Sequence, residues 1–244
     1  MKKYFPNYVI NEAVYHAKAE WPNESCGFIT NIDSKYSKYR YISMKNIAED
    51  KSDNFEIDIK EFIKYESIIK CIIHSHNNYG HLSRNDMILQ EKSRKPYGMI
   101  NLINKSLDKV VFWGDQLPPQ DLIGRSFTHG CYDCYGLVRD YYKMKGITLP
   151  SYPRENFWWK KDPSMLIDNF QDAGFKRIKD NEVREGDVYM MKLDAPVVNH
   201  SGIWLKNGMI LHHLYKNLSG KDSIGRWQQF LEGFYRYIGE KNNA

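Results

Sequence analysis

The chain has only four cysteines in 244 residues, too few to staple a fold of this size, so they are expected to be thiols rather than a disulfide framework. No uninterrupted apolar run approaches the ~18 residues that a membrane-spanning helix requires. The opening MKKYFPNYVINEA has two lysines but no apolar stretch of ~7–15 residues behind them, so it does not read as a signal peptide, and synthesis in a cytoplasm is expected. Long basic runs are also missing. The formal net charge of +5 is spread over dispersed lysines and arginines mixed with acids, which reads as a solvated surface. Charge alone does not choose between that and a mild attraction to an anionic polymer such as a cell wall or nucleic acid, although no nucleic-acid partner is expected. There is no internal repeat and no low-complexity tract.

What is present is an ordinary soluble composition, 42% hydrophobic and 27% charged, on a chain long enough for one large domain or two modest ones. The best internal break is GDQLPPQDLIGRSF, residues 114–127, where Pro118 and Pro119 impose an extended connection. Before it, helical patterns cover residues 10–20, 59–70 and 83–93, and strand patterns cover 26–30, 71–76, 98–103 and 109–113. After it, helices are expected over 134–146 and 165–175, followed by three short strands at 186–193, 200–205 and 209–215. The second half therefore reads as helices set against an antiparallel sheet, and the whole as two α+β domains.

Two groups of residues carry chemistry. In CIIHSH, His74 and His76 stand two apart on a strand, so both imidazoles leave the same face, as two ligands of one metal ion must. Ser83 and Asp86 in SRND have the spacing of a helix cap, and the Asp can also offer an oxygen to a metal. Two histidines and a carboxylate leave an open fourth position, the pattern of catalytic zinc. Glu24 upstream is a candidate base for a metal-bound water. The same residues also read as polar strand positions and a plain cap.

The second group starts at HGCYDCYGLVRD, where Cys131 and Cys134 form a Cys-x-x-Cys pair. A zinc half-site would need a second pair, whereas Cys26 and Cys71 are isolated in apolar strands. A thioredoxin-like pair would follow a strand in a βαβ unit, and here a loop-like segment precedes it and an antiparallel sheet follows. The remaining reading makes Cys134 a nucleophile: Asp133 caps a helix, which puts Cys134 at the first helical position, where the free N–H groups favour a thiolate. Gly136 keeps that turn uncrowded. A base is still needed, and NHSGIWLKNGMILHHLY, residues 199–215, offers candidates on a hairpin with Asn207-Gly208 at its turn. A two-residue loop pairs Gly202 with His213; a three-residue loop over 206–208 pairs it with His212, diagonal to His200. Spacing alone leaves both open.

The set Glu24, His74-Ser-His76 and Ser83-x-x-Asp86 resembles the JAMM/MPN+ metallopeptidase motif. Asn77 stands where that motif commonly has proline, and the segment from His76 to Ser83 is one residue shorter than usual, with His81 inside it as a substitute ligand. The resemblance implies one Zn²⁺ on His74, His76 and Asp86, Glu24 as general acid/base, and Ser83 supporting an oxyanion. DCYGLVRD is similar to the nucleophile helix of NlpC/P60 cysteine peptidases, with Tyr135 in place of the usual serine. HSGIWLKNGMILHH is similar to their histidine hairpin, in which the third polar group follows the catalytic histidine by twelve residues. That implies Cys134 as nucleophile, His200 as base and later acid, His212 orienting His200 through an odd-length loop, and Cys131 as a bystander.

The two motifs in this order resemble the tail-tip (tail assembly) proteins of bacteriophages with long flexible tails. GITLPSYPRENFWWKKDPSMLIDNFQDAGF and LHHLYKNLSGKDSIGRWQQF look like that family too. The resemblance implies an α+β fold in two domains: a JAMM-like α/β/α domain over residues 1–117 and an NlpC/P60, papain-like domain over 118–244. It further implies tail-tip and hub proteins as partners, cleavage of peptidoglycan stem peptides between D-glutamate and a diamino acid, synthesis in the host cytoplasm, and action from the virion tail tip at the host cell wall. A rival expectation is a structural tail-tip protein whose peptidase sites are silent or serve only assembly. The aromatic run FWWKK, residues 157–161, reads as core packing or as the wall of a groove.

Overall fold

The computed structural model describes residues 4–33 and 38–239. The chain divides into two compact units, one of residues 2–82 with 88–118, the other of residues 119–244 together with 83–87 and residue 1.

The first half of the chain has the order α1 (Asn7–Glu20), β1 (Cys26–Asp33), β2 (Lys38–Met44), α2 (Ile59–Tyr65), β3 (Ile69–Asn77), α3 (Arg84–Ser93), β4 (Tyr97–Ile103) and β5 (Ser106–Trp113). Its mixed sheet runs β2-β1-β3-β4-β5, with β3 and β4 parallel and the other neighbours antiparallel. In α1, Val9, Ala13 and Ala17 recur every four residues and are buried, forming one stripe against Ile29, Cys71, Ile73, Ile100, Leu102 and Phe112. The small Ala13 and Ala17 let the helix lie close to the sheet. On the other face Phe28 meets Phe62 and Tyr65 at ring separations of 6.0 and 6.1 Å. Strand alternation then sends Cys71 and Ile73 toward α1, and His74 and His76 to the opposite face. The sequence pattern had put a helix over 59–70; it ends at Tyr65, and the β-branched run from Ile69 joins β3 instead. The edge strand β2 had no place in the sequence pattern, because most of its side chains are only half buried or exposed.

The second unit contains α4 (Cys134–Lys143), α5 (Met165–Asp172), β6 (Phe175–Ile178), β7 (Val188–Met191), β8 (His200–Trp204), β9 (Met209–His212), β10 (Gly220–Ser223) and β11 (Leu231–Tyr237). All six strands pair antiparallel in the order β10-β9-β8-β7-β11-β6. Leu137, Val138, Tyr142, Leu166 and Phe170 of the two helices pack on Val188, Met190, Ile203, Leu211 and Tyr235. The other face carries Tyr189, Met191, Ile210 and Phe234 under Trp204, Ile224 and Trp227. With both faces covered, all of β7 is buried and reads as a continuous apolar run. Strands β6, β10 and β11 were not legible: FKRI and GKDS lack a β-type pattern, and they pair only because the sheet supplies partners.

Candidate functional site

Three of the expected metal ligands, all from the first half of the chain, lie close together. His74, His76 and Asp86 each offer one ligand atom, all within 4.8 Å of one another, and all three residues are buried. The Nε2 atoms of His74 and His76 face each other at 2.9 Å. A tetrahedral ion with bonds of about 2.0–2.1 Å would hold two ligand atoms roughly 3.3 Å apart, so a small rotation of either ring makes room. Two imidazole nitrogens and a carboxylate are the donor chemistry of zinc, and the residues fit that ion. His74 is stacked on Phe55 at 4.4 Å and His76 lies 4.4 Å from the ring of Tyr79, which confines both rings to small movements. Glu24 is buried beside them, its Oε1 3.7 Å from His76 Nε2 and accepting a hydrogen bond from Tyr79 Oη at 3.0 Å. At the start of α3 the reciprocal cap is complete: Asp86 N donates to Ser83 Oγ, and Ser83 N and Oγ both donate to Asp86 Oδ2 at 2.7 Å. Ser83 therefore orients the Asp86 carboxylate. His81 lies outside the group and touches Tyr79.

The second unit places Cys134 at the first position of α4, capped by Asp133, whose Oδ1 accepts from Gly136 N at 2.9 Å. A β-carbon on Gly136 would lie 1.8 Å from the Cys131 carbonyl oxygen, so only glycine fits under that turn. Cys131 is thereby assigned a backbone role; all four cysteines are free thiols. The hairpin has the three-residue loop: β8 pairs with β9 as Ile203 to Leu211 and Trp204 to Ile210, with the turn at Lys206–Gly208. One step further the register sets Gly202 opposite His212. The His200 and His212 rings meet edge to face at 5.7 Å. Cys134 and His200 line one cavity of about 620 Å³, and the Ser201 N–H, next in chain to His200, is directed at the Cys134 sulfur.

With that geometry in view, the likeness to known proteins is informative. Residues 123–236 match the NlpC/P60 family. Tail tip assembly protein K of Escherichia phage N15 is 29% identical over 241 residues, covering 96% of each chain. Tail tip assembly protein K of Escherichia phage lambda is 30% identical over 171 residues, 69% of this chain and 82% of that one. The chain belongs to the tail tip assembly protein K family. Among solved structures, an NLP/P60 family protein similar to lipoprotein from Staphylococcus aureus aligns with 49% of the chain and 38% of its own at 22% identity and a TM-score of 0.38. An NlpC/P60 family protein from Bacillus cereus aligns with 93% and 66% at 12% identity and a TM-score of 0.39.

The NlpC/P60 match in this member of the K family contains Cys134, His200 and His212 and gives it a domain of the cysteine-peptidase type; the His74 group lies outside the matched residues. One sequence expectation is corrected by the electrostatics. The start of α4 was expected to favour a Cys134 thiolate, yet burial and the adjoining Asp133 charge push the thiol up to about 11, outweighing the N–H groups of Ser201 and Tyr135. Burial, with His212 and His213 nearby, lowers His200 to about 3. At neutral pH the resting pair is thus a thiol and a neutral imidazole.

Sequence reasoning missed a buried polar cluster at the same cavity. Asp133 also accepts from Gly130 N at 2.8 Å and from Arg154 Nη2 at 2.5 Å, and His129 Nδ1 stands 3.8 Å from its Oδ2. Arg154 lies twenty positions beyond Cys134 in a loop, with no local pattern to mark it. The aromatic run divides: Trp158 joins the core, while Phe157 and Trp159 stand against each other at 5.4 Å on the cavity wall.

Proposed function

We propose that this chain is a phage tail-tip peptidase that cleaves peptidoglycan stem peptides, between D-glutamate and the diamino acid, with Cys134 as nucleophile, His200 as base and His212 holding the His200 ring. The observation that carries the reading is the single cavity shared by a thiol at a capped helix start and an imidazole backed by a second imidazole, in a chain of the protein K family. Since thiol and imidazole are both neutral at rest, the proton leaves as the sulfur attacks and not before. Cys134 Sγ bonds to the amide carbonyl carbon, and His200 takes the thiol proton and delivers it to the departing amine nitrogen. The resulting thioester is hydrolysed by water, whose proton passes through His200 back to the sulfur. The relatives' name supports tail-tip partners, and the cell-wall setting is where the proposed peptidoglycan bond would be met.

A second, zinc-dependent isopeptidase-like site is proposed in the first half of the chain, with His74, His76 and Asp86 holding Zn²⁺. When bound, the ion acidifies water and polarises a carbonyl. Glu24 Oε1, steadied by Tyr79, would take a proton beside His76, and Ser83, whose hydroxyl donates to Asp86 at rest, would turn that proton away from the carboxylate to support an oxyanion. Elemental analysis of the purified full chain should find about one zinc per molecule, lost in His74→Ala.

Purified protein incubated with peptidoglycan should release peptides, and Cys134→Ala should stop the release; equal release by the variant would refute the catalytic assignment. The relatives' name, tail tip assembly protein, favours a second reading, a structural tail-tip component with silent sites. It predicts that phage carrying Cys134→Ala and His74→Ala assemble and infect normally.

A further inference from the structure

Asp133 poses a chemical problem that the cap alone does not explain. An Asn or Ser would also cap α4, without setting a full negative charge next to the sulfur that must give up its proton. Asp133 is 3% exposed and Arg154 7% exposed. They meet at Arg154 Nη2 and Asp133 Oδ2, 2.5 Å apart, while Arg154 Nη1 donates to Tyr152 O at 2.8 Å. The guanidinium carbon also lies 5.6 Å from the Tyr135 ring centroid. Removing two charges from water is expensive, and packed apolar residues are often as stable as a buried ion pair. A pair kept here, lining the cavity of Cys134, therefore calls for a reason beyond stability.

We propose that Arg154 is a positioning residue for Cys134: it holds the Asp133 cap at the start of α4 and neutralises that charge beside the sulfur. The inference rests on the reading of Cys134 as nucleophile. The groups around the sulfur are Asp133 and Tyr135 from α4, Arg154 from the following loop, Tyr189 from β7 and the Ser201 N–H from β8. His129, His200, His213 and Lys160 line the same cavity. Arg154 is the cation that meets Asp133, and its guanidinium stays charged at any working pH. Its attraction acts on the Cys134 sulfur as well as on Asp133.

The test is the pH dependence of iodoacetamide alkylation at Cys134, followed by peptide-resolved mass spectrometry on the full chain in a Cys131→Ser background. Arg154→Met should move the midpoint to higher pH by about one unit, a tenfold loss of thiolate at a fixed lower pH. Asp133→Asn should move it to lower pH. The Asp133→Asn/Arg154→Met pair should return it to near the starting value, and Arg154→Lys should leave it near there throughout. A purely structural pair would not produce opposite shifts. An unmoved midpoint in folded Arg154→Met, or an alkaline shift in Asp133→Asn, overturns the proposal. If Arg154→Met does not fold, Asp133→Asn and Arg154→Lys decide alone. Intact peptidoglycan hydrolysis by Cys134→Ala would refute the peptidase reading while leaving the alkylation shifts to stand or fall on their own.

Discussion

At the scale of single residues, His212 shows how a choice between neighbours is made by one residue of loop length. His212 and His213 are adjacent and both buried. The three-residue turn gives His212 the contact with His200, whereas His213 packs on Phe127 at 5.2 Å. On the proposed mechanism, His212→Ala should lower kcat by about 10²-fold with little change in KM, since it touches the base and not the substrate. The matching change at His213 should cost much less in kcat; steady-state kinetics on a soluble stem peptide would separate the two. The proximity of the candidate metal ligands was legible for a simpler reason. His74 and His76 share a strand face by arithmetic, and Ser83 and Asp86 share a cap by spacing. Arg154 and Tyr79 were not, because their partners lie 21 and 55 positions away.

At the scale of elements, α4 depends on one glycine. Gly136→Ala would drive a methyl group into the Cys131 carbonyl, and the backbone there is held by the Thr128 and Gly130 hydrogen bonds. The substitution should destabilise the protein by about 1–3 kcal/mol, seen as a lower midpoint in denaturant, and should displace the thiol as well. Helix α3 offers a milder case. Ser83→Ala removes both hydroxyl bonds of the cap and should lose about 1 kcal/mol; on the proposed metal reading it also frees the Asp86 carboxylate to turn and should weaken zinc binding measured by metal competition. Helices and the central strands were readable because their own side chains supply the period. Strands β2, β6, β10 and β11 were harder to see, since edge or weakly patterned segments become strands by being paired.

At the scale of the whole molecule, the buried imidazoles set the response to acid. His200, His212 and His213 are all held below the ordinary 6.5, His200 at about 3 and His213 at about 4. As pH falls below about 6.5, the unfolded chain takes up protons that the folded one refuses, so stability is present above that value and is lost on acidification. Each imidazole contributes up to roughly 1.4 kcal/mol per pH unit across its window. At the other end the Cys134 thiol, moved from 9.0 to about 11, ionises first in the unfolded chain, so stability should fall again as pH rises between those values. Urea unfolding from pH 4 to 10 should therefore give a plateau near neutrality with losses on both sides; a flat acid limb would contradict the buried, neutral histidines.

The sequence by itself determined which chemical groups are present and which share a face: strand parity for His74 and His76, the cap for Asp86, the helix start for Cys134. Local geometry obeys fixed periods, so spacing is enough. The tertiary structure alone decided protonation and long-range company. Whether a helix N-terminus favours a thiolate depends on how much water the fold removes and on what charge it leaves alongside, and both are properties of packing rather than of spacing. That is why Cys134 was legible as a site residue, while its resting protonation and its Asp133–Arg154 surroundings were not.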